Sequence, residues 1–401
     1  MGGAPVFERR LTRRRFLGAA AMAATGLGLK YALPDSALGI SLPPPLSHAP
    51  VPQGLRHLAW VWQFKADGEP DAIASVLAEN SLGILLKTHD GTDWMSRWDR
   101  SMHAVSGPRQ VGKLVNYFES SGVPFHAWHV AEGIDPVREA EMCAQVLAAG
   151  ARSLTVDLEP FDGFWSGTPE SALAFGREFR RLRPLDALYV CVDPRPWIMR
   201  STPVAEFASF SQGFAPMAYW DTFKSPDNVD LFRANGFSPG DGGVTPEFVL
   251  DVSNSVLGPF GLPIYPAGDG TSSNTDDWTK FVLHARDLGM ESVSVWRYGV
   301  TDERVWRLLK DMQRDLDSVE TPGLKKGRAA RVANTGICLT IYAKPSRKAG
   351  VVAYLVDSEV VTLTDDPVEA EGCRWWPVRI GNIEGWAPQS DPDGIPYLVP
   401  S

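Results

Sequence analysis

Asp157 and Glu159 stand two residues apart in "SLTVDLEPFDGFW", residues 153–165, at the end of a run that reads as a buried strand. A buried charge is costly unless it is paired or used. Two chemistries suit the pair. One is acid–base cleavage of a glycosidic bond, with a carboxyl that protonates the leaving oxygen. The other is a structural ion site closed by a cation such as Lys87 or Arg297. Side chains two apart on a strand share a face, so Thr155, Asp157 and Glu159 point one way and Leu154, Val156 and Leu158 the other.

The elements that must position this pair recur along the chain. Strand candidates are "RHLAWVW" (56–62), "LGILLKTH" (82–89), "VPFHAWHV" (123–130), "SLTVDLE" (153–159), "ALYVCVD" (187–193), "GFAPMAYW" (213–220), "LPIYPAG" (262–268) and "SVSVWRY" (292–298). Helical patterns such as "PVREAEMCAQVLAAGA" and "SALAFGREFRRLRP" lie between them. Short strands alternating with helices predict a parallel sheet. Eight such units over residues 55–317 match an α/β fold of the (β/α)8 TIM-barrel kind. An open doubly wound sheet is the alternative, but no GxGxxG follows the first strand.

In a closed barrel the apolar face of the fourth strand meets the helices. The polar face then turns inward and ends at the C-terminal mouth, where barrel active sites sit. The same alternation brings Asp193, Tyr219 and Trp296 to that mouth, with Met217 on the face of Tyr219 and Asp221 just beyond. Trp60, Trp62, Trp94, Trp98, Trp128, Trp165, Trp197, Trp220 and Trp278 fall near strand ends. Flat indoles suit the C–H faces of sugar rings, and Trp62 and Trp128 are taken as subsite candidates.

Three motifs, "DLEP", "MAYWD" and "VSVWRYG", stand in order on the fourth, sixth and eighth strands. In this the chain resembles the sugar-cleaving barrels of the chitinase type (glycoside hydrolase family 18), and, in its Asp-x-Glu, the bacterial lysozyme type (family 25). The full chitinase pattern D-x-x-D-x-D-x-E has Arg152 and Thr155 in its first two positions here. The first-strand aspartate of the lysozyme type is absent from "HLAWVWQF". The resemblance implies a glycosidase acting on N-acetylated amino-sugar polymers, peptidoglycan or chitin-like. Glu159 would be the general acid, and Asp157 would orient the substrate's acetamido group. Tyr219 would donate a hydrogen bond and Trp296 floor the pocket. Either the acetamido oxygen is the nucleophile, or Asp157 or Asp193 acts as a second carboxylate. Barrels of this kind that have lost activity serve as sugar-binding proteins, so a non-catalytic cell-wall glycan binder is the alternative.

Residues 318–332, "SVETPGLKKGRAARV", read as a polar linker. Residues 333–401 hold short strands and turn signals without a helix, which predicts a small all-β barrel. Their "IYAKPSRKAGVVAYL" and "WWPVRIGNIEGWAP" resemble a bacterial SH3 domain, which implies attachment to cell-wall material. At the other end, "LTRRRFLGAAAMAATGLGLKYALP" has a basic start and a short apolar stretch, the layout of an export signal. Its "TRRRFLG" resembles the twin-arginine motif, with Arg13 and Arg14 as the pair. Residues 1–40 are therefore expected to be an export signal, and 41–54 a Pro-rich linker, placing the mature protein outside the cytoplasm.

Composition narrows the function classes. The 401 residues carry a formal net charge of −9, which argues against nucleic acid as the partner. No apolar run reaches the length of a membrane span. The four cysteines, Cys143, Cys191, Cys338 and Cys373, form no CxxC. A Cys338–Cys373 disulfide and four free thiols both remain open. No metal or cofactor is expected: His126 and His129 of "FHAWH" face opposite sides of a strand, and there is no HExxH. There is no G-x-S-x-G nucleophile elbow either.

Overall fold

The computed structural model describes residues 56–313, 324–336, 338–391 and 395–400. The expected export signal (1–40), the whole Pro-rich linker (41–54) and the first part of the expected 318–332 linker lie outside these residues. Nine parallel strand segments form one curled sheet: β1 Leu58–Val61, β2 Gly83–Asp90, β3 Phe125–Val130, β4 Ser153–Leu158, β5 Ala187–Val192, β6 Gly213–Phe214, β7 Met217–Ala218, β8 Ala267–Asp269 and β9 Ser294–Trp296. The order is β6-β5-β4-β3-β2-β1-β9-β8-β7. Its two ends, β6 and β7, are halves of one strand position separated by Ala215 and Pro216. The sheet therefore closes on itself with eight strand positions. The fold is a (β/α)8 barrel.

Proline sets where the ladders start. Lacking an N–H, it cannot donate to a neighbouring strand. Pro216 splits the expected sixth strand into β6 and β7. Pro263 and Pro266 delay the expected seventh, so that β8 starts only at Ala267, after a single bridge between Phe214 and Ile264. The remaining strands are buried on both faces and read as nearly continuous apolar runs, as parallel strands under helices do.

Among the described residues, eight helices of nine residues or more surround the barrel: α1 Pro70–Glu79, α2 Pro108–Ser120, α3 Pro136–Ala148, α4 Pro169–Leu182, α5 Pro226–Ala234, α6 Pro246–Leu257, α7 Thr275–Asp287 and α8 Glu303–Met312. The first six begin on proline. Its fixed φ suits the first helical position, where the N–H has no intrahelical partner. Side chains of Asp135, Thr168, Ser225, Thr245, Asn274 and Asp302 cap six helices by accepting a backbone N–H. At Gly268 a side chain would stand 2.5 Å from the Trp278 ring; glycine there lets α7 press its indole onto β8.

A separate antiparallel sheet follows: β10 Ala329–Val332, β11 Leu339–Tyr342, β12 Val351–Leu355, β13 Val360–Leu363, β14 Val368–Ala370, β15 Cys373–Ile380, β16 Ile383–Pro388 and β17 Leu398–Pro400. The order is β12-β11-β16-β15-β13-β10-β17, with β14 on β15. Residues 329–332, expected as linker, form a strand instead. They pair with both β13 and β17, which buries Ala330 and Val332 in the unit's own core. All four cysteines are free thiols.

The all-β unit sits where α2, α3 and α4 finish. Arg183 donates to Ser358 at 2.8 Å, Arg331 reaches Asp186, and Asn334 donates to the Ala149 carbonyl. Val399 joins the barrel's own apolar cluster. A groove of about 440 Å³ lies between the two units, bordered by Arg56, Glu119, Lys325 and Trp376. This is the end of the barrel opposite the C-terminal ends of the strands.

Candidate active site

Inside the barrel, Ser153 and Thr155 of β4 line a small cavity of about 60 Å³ together with Trp60, His126, Tyr189 and Ser294. Asp157 follows on the same face, level with Val130 of β3 and Cys191 of β5. Glu159 lies just past the end of the strand. Asp157 is 1% exposed and Glu159 is fully buried. The expected alternation is thus realised, with Leu154, Val156 and Leu158 turned to the helices and also fully buried.

Thr155 and Arg152, which stand where the chitinase pattern has aspartates, have other tasks. Thr155 is an interior wall residue. Arg152 makes a two-pronged pair with Glu119 at 2.7 and 2.8 Å at the end of the barrel far from the mouth. Glu119 also accepts the Phe125 N–H at the start of β3.

Below the mouth the barrel is filled by three indoles from β1, β3 and β9. Trp60, Trp128 and Trp296 meet edge to face, with centroids 5.2, 5.7 and 5.4 Å apart. The Trp60 N–H donates to Ser294 Oγ at 2.9 Å and the Trp128 N–H to the Val61 carbonyl at 3.1 Å. Trp128 is fully enclosed beneath Trp296, with the Lys87 ammonium 5.0 Å from its ring centre. It packs the interior instead of lining a subsite. Trp296 is only partly buried and forms the upper surface of this stack; the Trp296–Arg297 peptide after it is cis. Trp62 is half-buried, with the Arg297 guanidinium 5.2 Å from its ring centre. Trp60, Trp220 and Trp278 are also core residues.

The rim is held by carboxylates engaged with their neighbours. Asp193, expected to face substrate, is instead closed into an ion pair. Arg195 donates to both of its oxygens at 2.6–3.0 Å and to Asn228, and both charged side chains are almost fully buried. Asp221 is paired with Lys224 at 2.7 Å at the mouth's edge. Met217 and Tyr219 are buried at the end of β7, with Tyr219 against Phe223. Lys87 and Arg297, offered above as partners for the Asp-x-Glu pair, form ion pairs with Asp90 and Asp67.

Sequence reasoning missed two anchors, Asp67 and Asp269. Asp67 accepts the Trp62 N–H at 2.6 Å and pairs with Arg297, which ties the end of β1 to the end of β9. Asp269, level with Trp296, accepts from the backbone and hydroxyl of both Thr222 and Thr271. It thereby holds the turn that follows Tyr219. The available signal was positional: Asp269 ends a barrel strand. On the β3–α3 side, the fully buried Glu139 accepts the N–H groups of Glu132 and Gly133, and burial pushes its carboxyl up to about 7.

Neither a protein-family model nor a curated protein matches the sequence. Solved structures do show similarity. The spore cortex-lytic enzyme SleL of Bacillus cereus is 12% identical with a TM-score of 0.44, covering 68% of this chain and 76% of its own. A chitinase catalytic domain of Pyrococcus furiosus is 12% identical at a TM-score of 0.43, covering 67% and 99%. A family 18 N-acetylglucosaminidase of Paenibacillus barengoltzii is 10% identical at 0.45, covering 64% and 99%.

The Asp193–Arg195 geometry separates a structural from a catalytic role. Asp193→Asn leaves a buried guanidinium undercompensated, and breaking a buried pair costs roughly 3–5 kcal/mol. Urea unfolding is expected to show a loss of that order. A variant that unfolds at the same urea concentration as the parent would show that the pair is not what holds this part of the rim.

Proposed function

We propose that this protein is a glycoside hydrolase acting on N-acetylated amino-sugar polymers, of the peptidoglycan or chitin class. The observation behind this reading is the burial of Asp157 on the inward face of β4 and of Glu159 just past its end, at the C-terminal mouth of a closed barrel. Barrel enzymes carry their chemistry at that end.

Glu159 is assigned the acid–base role. A general acid at this place has to hold its proton until the glycosidic oxygen reaches it. Protonation of the glycosidic oxygen lets the bond break as the sugar's own acetamido oxygen closes on the anomeric carbon. Asp157 orients and polarises that group, and Tyr219 donates a hydrogen bond to it. Water activated by Glu159 then opens the ring so formed. The engagement of Asp193 by Arg195 supports this route over one that needs a second carboxylate across the mouth. Trp296, the partly open face of the indole stack, is assigned the floor under the sugar ring.

The test is turnover and melting temperature measured on the same samples. Glu159→Gln keeps the shape and removes the proton donor. A loss of about 10²–10⁴-fold in kcat is expected, with melting nearly unchanged. Asp157→Asn is expected to lower the rate as well. A Glu159→Gln protein that melts much earlier, yet keeps its specific activity when folded, would show a structural ion site. Tight glycan binding by the parent protein without any product would favour the non-catalytic binder.

The all-β unit is assigned to wall attachment, on the likeness of its strand motifs to bacterial SH3 domains. It docks at the barrel end remote from the mouth, so attachment and cleavage are separable. Removing residues 324–401 is expected to reduce sedimentation with insoluble peptidoglycan while cleavage of soluble oligomers persists. Undiminished sedimentation would remove this role.

A further inference from the structure

On the helix-facing side of the barrel wall, His89 of β2, His129 of β3 and Cys143 of α3 meet in the dry core. All three are fully buried. One ligand atom from each lies within 4.8 Å of the other two. Cys143 Sγ is 3.6 Å from His89 Nε2 and 3.3 Å from His129 Nε2. The two rings stack with centroids 4.5 Å apart, and Phe175 stacks on the far side of His129.

The protons of this cluster have two arrangements. Thr88 Oγ1 lies 2.8 Å from His89 Nδ1 and 3.2 Å from the Trp128 carbonyl, and its one hydroxyl proton can go to either. His129 Nδ1 lies 3.1 Å from the Val130 carbonyl, which only accepts. His129 therefore carries its proton on Nδ1, and when Thr88 donates to Trp128 so does His89, which leaves both Nε2 lone pairs at the same sulfur. A thiol has one proton and serves one of them. When Thr88 donates to His89 instead, His89 Nε2–H donates to the thiol and the thiol to His129, and the protons close without a metal.

A cation in place of the thiol proton satisfies all three groups. Outward hydrogen bonds from the ring N–H groups, here to Thr88 and Val130, are how metal-binding imidazoles are oriented. The spacing also fits. Metal–nitrogen and metal–sulfur bonds of about 2.0–2.1 and 2.3 Å at a tetrahedral angle put N and S roughly 3.5 Å apart. Thiolate and imidazole are soft donors suited to copper(I) and zinc. A thiolate with a monovalent ion is neutral overall, whereas a divalent ion leaves a net charge beside Phe175 that the apolar core disfavours.

We propose that His89, His129 and Cys143 form a structural copper(I) site that pins β2 and β3 to α3 beneath the mouth. Loading forms one Cu–S and two Cu–N bonds, breaks the S–H bond and releases its proton to solvent. Copper enters and stays as the monovalent ion, so no oxidant or reductant takes part.

The test uses the full chain carrying Cys338→Ser and Cys373→Ser, which removes the two half-exposed thiols, produced with and without added copper. Metal content is read by mass spectrometry. One copper per chain, silent in electron paramagnetic resonance and retained against a copper(I) chelator, is expected. Cys143→Ala is expected to abolish retention. Thr88→Val leaves all three ligands in place and removes the acceptor behind His89; a 10–100-fold weaker retention is expected, with an unchanged circular dichroism spectrum. Folded protein that holds no copper, or that holds it equally well after Cys143→Ala, overturns the proposal. One zinc per chain in preference to copper overturns the choice of ion.

Discussion

A β-strand offers its side chains two directions only, and in a closed barrel one of them meets apolar helices. That constraint decides where Asp157 and Glu159 go. A charge on the helix side of β4 would face groups that cannot solvate it. The helix side is instead taken by Leu154, Val156 and Leu158, and the carboxylates take the inside. Once β4 is oriented, the parallel ladder passes the orientation to its neighbours. Thr155 stands level with Trp128 and Tyr189, and Asp157 with Cys191.

Three indoles pack the interior below the carboxylates, above a small cavity lined by Ser153, Thr155 and His126. Trp60, Trp128 and Trp296 each come from a different strand and each N–H or ring edge has a partner inside the barrel or on a neighbouring strand. Around the rim, strand-end charges are neutralised locally: Asp67 by Arg297, Lys87 by Asp90, Asp193 by Arg195. Asp269 does the same work with hydrogen bonds alone. The Asp67–Arg297 pair ties the end of β1 to that of β9, and Asp269 ties the end of β8 to the turn after β7, while Lys87–Asp90 and Asp193–Arg195 each close within one strand end.

Period-two alternation made the inward face of β4 readable from sequence, and the repeated strand–helix pattern made the barrel readable. What escaped was non-local. Arg195 follows Asp193 by two residues in "DPR", and nothing in that spacing says whether both reach solvent or close on each other. Trp128 and Trp296 look alike in sequence; their depth depends on which strand end sits higher in the closed sheet. Residues 329–332 end a polar and basic stretch, yet two neighbouring strands recruit them. His89 was placed by a shift in the β2–β3 ladder between Lys87 and His89, a bulge that turns its ring toward the helix layer. Neither the bulge nor the meeting of His89 with His129 and Cys143 is visible in local pattern.

The account stands on Asp157 and Glu159 serving a reaction in which the substrate's own acetamido group takes part. The most direct measurement compares chitin oligomers of one length, fully N-acetylated and fully de-N-acetylated, incubated with the unmodified protein and read as fragments by mass spectrometry. The account predicts shorter sugars from the N-acetylated oligomer and none from its de-N-acetylated counterpart. Equal fragmentation of the two would contradict it.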